Sequence, residues 1–128
     1  MKNNNSELKE LRLSLKTKWF EMTKAGIKTE DYREINPDWW KRFVQCGECY
    51  RNFEDSLNDK LAPAEEWKML LSKKFDLNIM TLGYPSNNDT GRILKLEHKG
   101  IEIRTGNPEW GAEPNKLYFV ILHGKIID

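Results

Sequence analysis

The stretch Gly26-Ile27-Lys28-Thr29-Glu30-Asp31-Tyr32-Arg33 brings a lysine, an acid and an arginine together just after an amphipathic segment. The pattern after Gly26 changes from helical spacing to the alternation of a strand. Because successive side chains of a strand point to opposite faces, Asp31 and Arg33 share one face. Opposite charges on an inward face are costly to bury unless they are paired. We therefore expect Lys28, Asp31 and Arg33 to line a polar cleft around which the fold is built.

The same three side chains have a purely structural interpretation. In it, Asp31 pairs with Arg33, Lys28 completes the network, and no chemistry takes place. Networks of perturbed charges often serve structure alone. Ligand binding without chemistry is therefore favoured over catalysis at this stretch.

The composition indicates a small, polar, globular chain. It has 128 residues and a mass of 15.1 kDa, with 38% hydrophobic and 32% charged residues, which is enough for one domain with a modest core. No apolar run approaches the roughly 20 residues that a membrane helix needs. The segment Met1–Asn5 is not followed by the apolar region of a secretory signal. We expect a cytoplasmic protein with no membrane partner.

The charge balance bears on the kind of nucleic acid that the chain can bind. The formal net charge is +1, from 21 basic and 20 acidic residues. Binding of a long duplex needs a strongly basic surface, so long duplex DNA is not an expected partner. A nucleotide, a short loop of RNA or a neutral nucleoside remains compatible with this charge.

The cysteine pattern does not support a metal site. Cys46 and Cys49 have the spacing of half a zinc site, but the chain has no further cysteine. The histidines, His98 and His123, are far apart in sequence. We expect ordinary thiols in a turn, with no metal and no cofactor.

The first half of the chain predicts two strands and two helices. Residues 1–10 are expected to be disordered or weakly helical, with a helical turn over 6–10. Gly26 is expected to end the first helix in a left-handed conformation, and Asn36-Pro37-Asp38 has the residues of a helix start. The predicted elements are a strand over 11–15, a helix over 16–25, a strand over 30–35 and a helix that begins at 36.

The second half predicts one more helix and four strands. The helix begins at Pro63 and ends in a turn that carries Lys73 and Lys74. Gly100 predicts a bulge or tight bend between two strands. The predicted strands cover 75–82, 92–98, 101–104 and 117–122. Six strands and three helices predict an α+β fold with a small closed or half-closed β-barrel, which removes exposed strand edges.

Trp39 and Trp40 of the second helix have two interpretations. Together with Phe43 and Val44 they form an apolar stripe, which favours packing in the core. In the alternative, one of the two indoles is a stacking platform for a base. Core packing is the preferred interpretation.

Two separated motifs resemble the ASCH family, whose domains have a PUA-like β-barrel. The stretch from Gly26 to Arg33 is similar to the family pattern G-x-K-x-x-E-x-R, with Asp31 in place of the usual glutamate. The C-terminal part of the chain resembles a branch of this family found in bacteria and phages. The residues that carry this resemblance are Gly106, Glu109-Trp110-Gly111-Ala112 and Tyr118-Phe119-Val120-Ile121. The resemblance implies one domain over 11–128, with a helical insertion at 46–74.

The resemblance also implies a choice of functions. ASCH domains are thought to bind RNA or modified nucleosides, and a similar group of enzymes removes the acetyl group from acetylated cytidine. The lysine of that group corresponds to Lys28, whereas Asp31 occupies the position of its proposed nucleophilic threonine. In a hydrolytic mechanism, Lys28 or Asp31 activates water and Glu109 protonates the leaving amine. Thr29 is nearby but is assigned to ligand binding.

Three functions follow from these observations. The preferred one is binding of RNA or of a nucleotide or modified nucleoside. The alternatives are an amidohydrolase that acts on acylated cytidine and a protein-interaction domain without a catalytic role. For the preferred function we expect five ligand-binding residues beside the cleft residues Lys28 and Asp31. They are Thr29, Arg33, Tyr84, Arg104 and Trp110.

Overall fold

The computed structural model describes residues 8–46, 50–51, 53–54 and 72–127 of the chain. These residues form an α+β fold, and the chain divides into two compact units. The first unit comprises Met1–Thr29, Lys74–Lys99 and His123–Asp128, and the second comprises Glu30–Lys73 and Gly100–Leu122.

Two α-helices and five strands have defined bounds within the described residues. The strands are hydrogen-bonded in the order β1-β3-β4-β5-β2. Single turns of 3-10 helix cover Thr90–Arg92 and Pro108–Trp110, and helical conformation is also present at residues 50–51 and 53–54. The elements are β1 (Glu10–Leu15), α1 (Thr17–Lys24), β2 (Glu30–Arg33), α2 (Pro37–Phe43), β3 (Leu77–Leu82), β4 (Ile93–Thr105) and β5 (Leu117–Ile127).

Strand β4 corrects the prediction of two separate strands over 92–98 and 101–104. Gly100 has a φ of 122°, and the strand continues through it. The buried positions change from even numbers, Leu94 and Leu96, to odd numbers, Ile101 and Ile103. The glycine does not end the strand, so the two predicted strands are one.

Other predictions fall partly outside the described residues. Most of the predicted helix from Pro63 and of the predicted insertion lies outside them. Residues 72–74 are described and are not helical, and Ser72 forms an isolated bridge with Val44. At the other end of the chain, Glu10 is already the first residue of β1 rather than part of a helical turn.

The expectation of a free thiol is also wrong for one of the two cysteines. Cys46 is disulfide-bonded. Cys49 lies outside the described residues. The absence of further cysteines predicted free thiols, because a single close pair does not resemble the disulfide framework of a small secreted domain.

The core of the first unit is built on the middle strand β3. Strand β1 pairs with β3 in parallel, and β4 pairs with β3 in the antiparallel direction. Residues directly opposite each other point to the same face, so Leu13, Met80 and Leu94 form one buried line across the three strands. The alternating pattern of β1 thereby buries its leucines and exposes the residues between them.

The core of the second unit is largely aromatic. Strand β2 pairs antiparallel with β5, and helix α2 contributes Trp40 and Phe43, which are 1% and 0% exposed. The ring centroids of Phe43 and Phe119 are 5.2 Å apart, and those of Trp40 and Phe53 are 5.4 Å apart. The indole nitrogen of Trp40 donates to the carbonyl oxygen of Cys46 at 2.8 Å. Trp40 is therefore a core residue, as preferred from the sequence.

The ends of the two helices confirm the local signals in the sequence. Gly26 has a φ of 78° and its backbone N–H donates to the carbonyl of Thr23, while that of Ile27 donates to the carbonyl of Met22. These two hydrogen bonds form a Schellman motif, which satisfies carbonyls at the end of a helix. At the start of α2, the side chain of Asn36 accepts a hydrogen bond from the backbone N–H of Trp39 at 2.9 Å.

Replacing Gly26 with alanine tests the requirement for a left-handed residue. We expect the Gly26→Ala variant to lose about 1 kcal/mol of unfolding free energy, because a Cβ is strained in this conformation. A Cβ at this position meets no atom within 4 Å, so the cost is confined to the backbone. Urea denaturation measures the loss.

Gly91 provides the matched control, because a Cβ there also meets no atom within 4 Å and its φ is outside the left-handed region. We expect Gly91→Ala to leave the stability unchanged or slightly increased. Equal losses in the two variants would contradict the assignment of Gly26.

Candidate functional site

The predicted pair of Asp31 and Arg33 is formed in the second unit. The Nε of Arg33 donates to Oδ2 of Asp31 at 2.8 Å, and Asp31 is 5% exposed. In the register of β2 and β5, these residues lie opposite Ile121 and Phe119, which are fully buried. A carboxylate in this environment needs a charged hydrogen-bond partner. The pair therefore fixes the direction of the Arg33 side chain.

Arg33 is also part of a cationic and aromatic surface. The guanidinium carbons of Arg33 and Arg42 lie 5.2 Å and 4.9 Å from the centroid of the Trp39 ring. These distances are in the range of cation–π contacts. Trp39 is half-buried and stacks on Phe43, with centroids 5.3 Å apart and an interplanar angle of 18°. We call Arg33, Trp39 and Arg42 the arginine–tryptophan surface.

Helix geometry explains how Arg42 reaches this surface. Arg42 follows Trp39 by three residues on α2, and residues at this spacing lie on the same side of a helix. Arg42 is exposed, whereas the side chain of Arg33 is only 18% exposed. The surface thus combines a fixed guanidinium, an aromatic ring and a solvent-facing guanidinium.

Lys28 and Thr29 belong to the first unit. Lys28 is 2% exposed, and its Nζ lies 5.8 Å from the centroid of the Trp19 ring. Thr29 is exposed, and its carbonyl accepts a hydrogen bond from the backbone N–H of His123 at 3.1 Å. The role of Lys28 in a shared cleft stays a prediction.

Arg104 lies in a different network, on the other face of β2. Its Nε donates to Glu102 at 2.8 Å, and its Nη2 donates to Glu30. Glu30 and Asp31 are neighbours in a strand, so their side chains project from opposite faces. The hydrogen bond with Glu30 raises the pKa of Arg104, and Glu102 adds to this effect. The structure therefore does not bring Arg104 together with Arg33.

Tyr32 extends this network towards the turn at residues 106–110. Its hydroxyl donates to Oε1 of Glu30 at 2.7 Å and accepts from the backbone N–H of Asn107 at 2.9 Å. Burial raises the pKa of Tyr32 to about 12, and the neighbouring Glu30 contributes in the same direction. A Cβ at Gly106 would lie 2.7 Å from the Tyr32 ring. The glycine that formed part of the family resemblance thus has a packing role here.

The remaining predicted site residues lie outside the β-strands and α-helices. Tyr84 is 94% exposed and belongs to the first unit. Glu109 is exposed, and Trp110 is half-buried, on the 3-10 turn that Asn107 caps. The side chain of Asn107 accepts a hydrogen bond from the backbone N–H of Glu109 at 3.0 Å.

A buried polar cluster in the first unit was missed by the sequence analysis. The side chain of Asn78 is fully buried and bridges two histidines. Its Oδ1 accepts from Nδ1 of His98 at 2.7 Å, and its Nδ2 donates to Nδ1 of His123 at 2.7 Å. Burial lowers the pKa of His98, and the nearby Asp76 partly offsets this. The one signal in the sequence was that His98 shares a face of its strand with apolar residues.

Other classes of site find no support in the described residues. They contain no group of three or more His, Cys, Asp or Glu side chains placed to hold a metal ion. None of their helices has the length and apolar character needed to cross a membrane. Comparison of the chain with models of protein families, with curated proteins and with solved structures found no match.

Removing the hydroxyl of Tyr32 tests the network around Glu30 and Arg104. We expect Tyr32→Phe to lower the unfolding free energy by about 1–3 kcal/mol, because Asn107 and Glu30 lose a buried partner. Tyr84→Phe is the matched control, since Tyr84 is 94% exposed. Urea denaturation measures the unfolding free energy of both variants. Equal and negligible losses in the two variants would contradict the role of the Tyr32 hydroxyl.

His98 predicts a dependence of stability on pH. Burial keeps its pKa in the folded state below the ordinary value of 6.5, so below that pH the unfolded chain binds more protons than the folded one. Stability from this group is complete above pH 6.5 and is lost as the pH falls through the lowered folded pKa. We expect His98→Gln to flatten the fall in unfolding free energy between pH 7 and 5.5, measured by urea denaturation. A fall of the same steepness in both proteins would contradict this linkage.

Proposed function

We propose that the chain is a cytoplasmic, ASCH-type domain that binds single-stranded RNA or a nucleotide or modified nucleoside. The observation that supports this function is the arginine–tryptophan surface, in which two guanidiniums lie over one indole ring. The PUA-like β-barrel implied by the family resemblance is part of the same proposal. The five-stranded sheet with two helices is compatible with it.

The chemistry of this surface suits an unpaired nucleotide. Guanidinium groups bind phosphate oxygens through paired, charge-assisted hydrogen bonds. Unstacked bases of RNA stack on aromatic rings and on the planes of arginine side chains. Arg42 is exposed and therefore accessible to phosphate or base. Trp39 packs against both guanidiniums, so a base would stack on the planes of the arginine side chains.

The buried pair of Asp31 and Arg33 contributes by holding one arginine in place. The hydrogen bond of 2.8 Å between them orders a side chain that otherwise has many rotamers. Ordering such a side chain on binding costs about 0.5–1.5 kcal/mol. In this chain the Arg33 side chain is already ordered in the folded state. Ligand binding therefore does not include the free-energy cost of ordering it.

The net charge of +1 directs the proposal to short or single-stranded ligands. Two arginines release few counterions, whereas a long duplex requires many phosphate contacts. Hydrolysis of acylated cytidine is not proposed as a second function. Thr29 and Glu109 are exposed, and the carboxylate of Asp31 is hydrogen-bonded to Arg33.

Fluorescence anisotropy with a short, labelled single-stranded RNA tests this function. We expect saturable binding that weakens with salt, and we expect Arg42→Gln to weaken it about five- to tenfold at low salt. The slope of log affinity against log salt should fall in magnitude by about 0.7, the value for one phosphate contact on a single strand. Arg42 is exposed, so its removal leaves the core intact.

Lys116→Gln is the matched control for loss of one positive charge. Lys116 binds Glu34 and Glu113 and lies 5.3 Å from the ring of Tyr118, whose ring packs against Tyr32. It is therefore on the face of β2 opposite to Arg33. Equal weakening by Arg42→Gln and Lys116→Gln, or no binding of RNA at low salt, would contradict the proposed surface.

A further inference from the structure

The first unit contains a pocket that the proposed function does not use. Its volume is about 490 Å³, within the range of small-molecule sites in proteins. Strands β1, β4 and β5 and the loop that precedes β4 line it. Arg12 lies in this lining and is exposed, whereas its neighbours Leu11 and Leu13 are buried on the opposite face of the strand. Arg12 therefore reaches the pocket from the face of β1 opposite to Leu11 and Leu13, and the buried Leu94 of β4 also lines the pocket.

Two cations lie on this face at a defined spacing. In the strand register, Arg12 is opposite Ile79, and Ile79 is opposite Lys95. Arg12 and Lys95 are thus two strands apart, which corresponds to about 10 Å between their backbones. Ile79 is fully buried between them. Both cations line the pocket, and their long side chains can converge on one anionic group.

Arg12 has an exposed ion pair with an acid of its own strand. Nε of Arg12 lies 4.0 Å from a carboxylate oxygen of Glu10, and both side chains are more than a third exposed. An exposed ion pair at this distance contributes little free energy. This pair leaves the long side chains of Arg12 and Glu10 in contact with solvent.

The remaining lining includes exposed apolar side chains. Ile126 and Ile127 at the end of β5 are 42% and 38% exposed, and Ile93 at the start of β4 lies in the same pocket. Isoleucines on a solvent-facing surface gain free energy when an apolar group covers them. Cations beside apolar side chains are the combination that recognises a molecule with one anionic end and an apolar body.

The loop wall of the pocket is held in place by Arg92. Its Nη2 donates to the carbonyl of Leu82 at 2.8 Å, and its backbone N–H donates to the carbonyl of Asp89 at 3.1 Å. An ion pair of 3.7 Å with the side chain of Asp89 adds to these contacts. Asn87 and Thr90, which line the pocket, are carried by this loop. The pocket is therefore formed without a ligand, which lowers the cost of binding.

We propose that this pocket binds a small amphipathic organic anion, with an aromatic or branched apolar body and one carboxylate, sulfonate or phosphate group. The anionic group lies between Arg12 and Lys95, and the apolar body covers Ile93 and Ile126. All of these residues belong to the first unit, whereas the arginine–tryptophan surface belongs to the second. The proposal is therefore independent of RNA binding.

The dye 8-anilinonaphthalene-1-sulfonate is a suitable probe, because it has an aromatic body and one sulfonate and gains fluorescence in apolar sites. N-phenyl-1-naphthylamine has the same rings without the charge. We expect one saturable site for the sulfonate dye on the full chain. Lys95→Gln should weaken it about fivefold and leave the neutral dye within twofold, which also shows that the pocket remains folded.

Two further variants complete the test. Ile126→Gln should weaken both dyes, because it removes apolar surface from the pocket. Lys24→Gln is the control, since Lys24 is an exposed cation in the last turn of α1 and does not line the pocket. Absence of saturable binding, or equal weakening by Lys24→Gln and Lys95→Gln, would overturn the proposal. Failure of RNA binding would leave these results unaffected.

Discussion

The buried ion pair between Asp31 and Arg33 is the constraint on which the geometry of the second unit depends. Asp31 is 5% exposed and faces the side of β2 that packs against aromatic residues. Removing one partner of a buried pair typically costs about 3–5 kcal/mol, because the other charge is left without compensation. Arg33 must therefore stay beside Asp31, and from there its guanidinium reaches the ring of Trp39. A structural necessity thus creates a fixed cation next to an aromatic ring.

Alternation along β2 separates this cation from a second polar network. Glu30 and Tyr32 project from the other face, where they bind Arg104 and the backbone of Asn107. The charges of this second network are paired with one another within the chain, and they hold the turn after β4. On the face with Arg33, the half-buried ring of Trp39 contacts both Arg33 and the exposed Arg42 of helix α2. We therefore propose ligand binding on the face with Arg33, because the exposed Arg42 lies beside it.

Local signals in the sequence predicted local structure well. Gly26 ends α1 in the left-handed region, and Asn36 caps α2, because both effects depend on residues close in the chain. The pairing of Asp31 with Arg33 was predicted for the same reason. The split of β4 at Gly100 was wrong, because a glycine inside a strand and a glycine that ends a strand have the same local sequence.

Contacts between distant residues were not predictable from one sequence. Asn78 joins His98 and His123 only because three strands place them side by side, and no spacing in the sequence encodes that register. The contact of Arg104 with Glu30 was not predictable for the same reason. The residue type of Arg104 suggested a ligand contact, but its partner Glu30 is brought to it by the sheet. The arginine–tryptophan surface was only partly foreseen, through Arg33 and the alternative interpretation of the tryptophans.

The most direct measurement is the two-dimensional NMR spectrum of the tryptophan indoles during titration with a short single-stranded RNA. The chain has five tryptophans, so the indole N–H of Trp39 is assignable by its loss in a Trp39→Phe variant. We predict that the Trp39 resonance moves most and that the buried Trp40 resonance moves little. Large shifts elsewhere with an unmoved Trp39 signal would contradict the assignment of this surface to ligand binding.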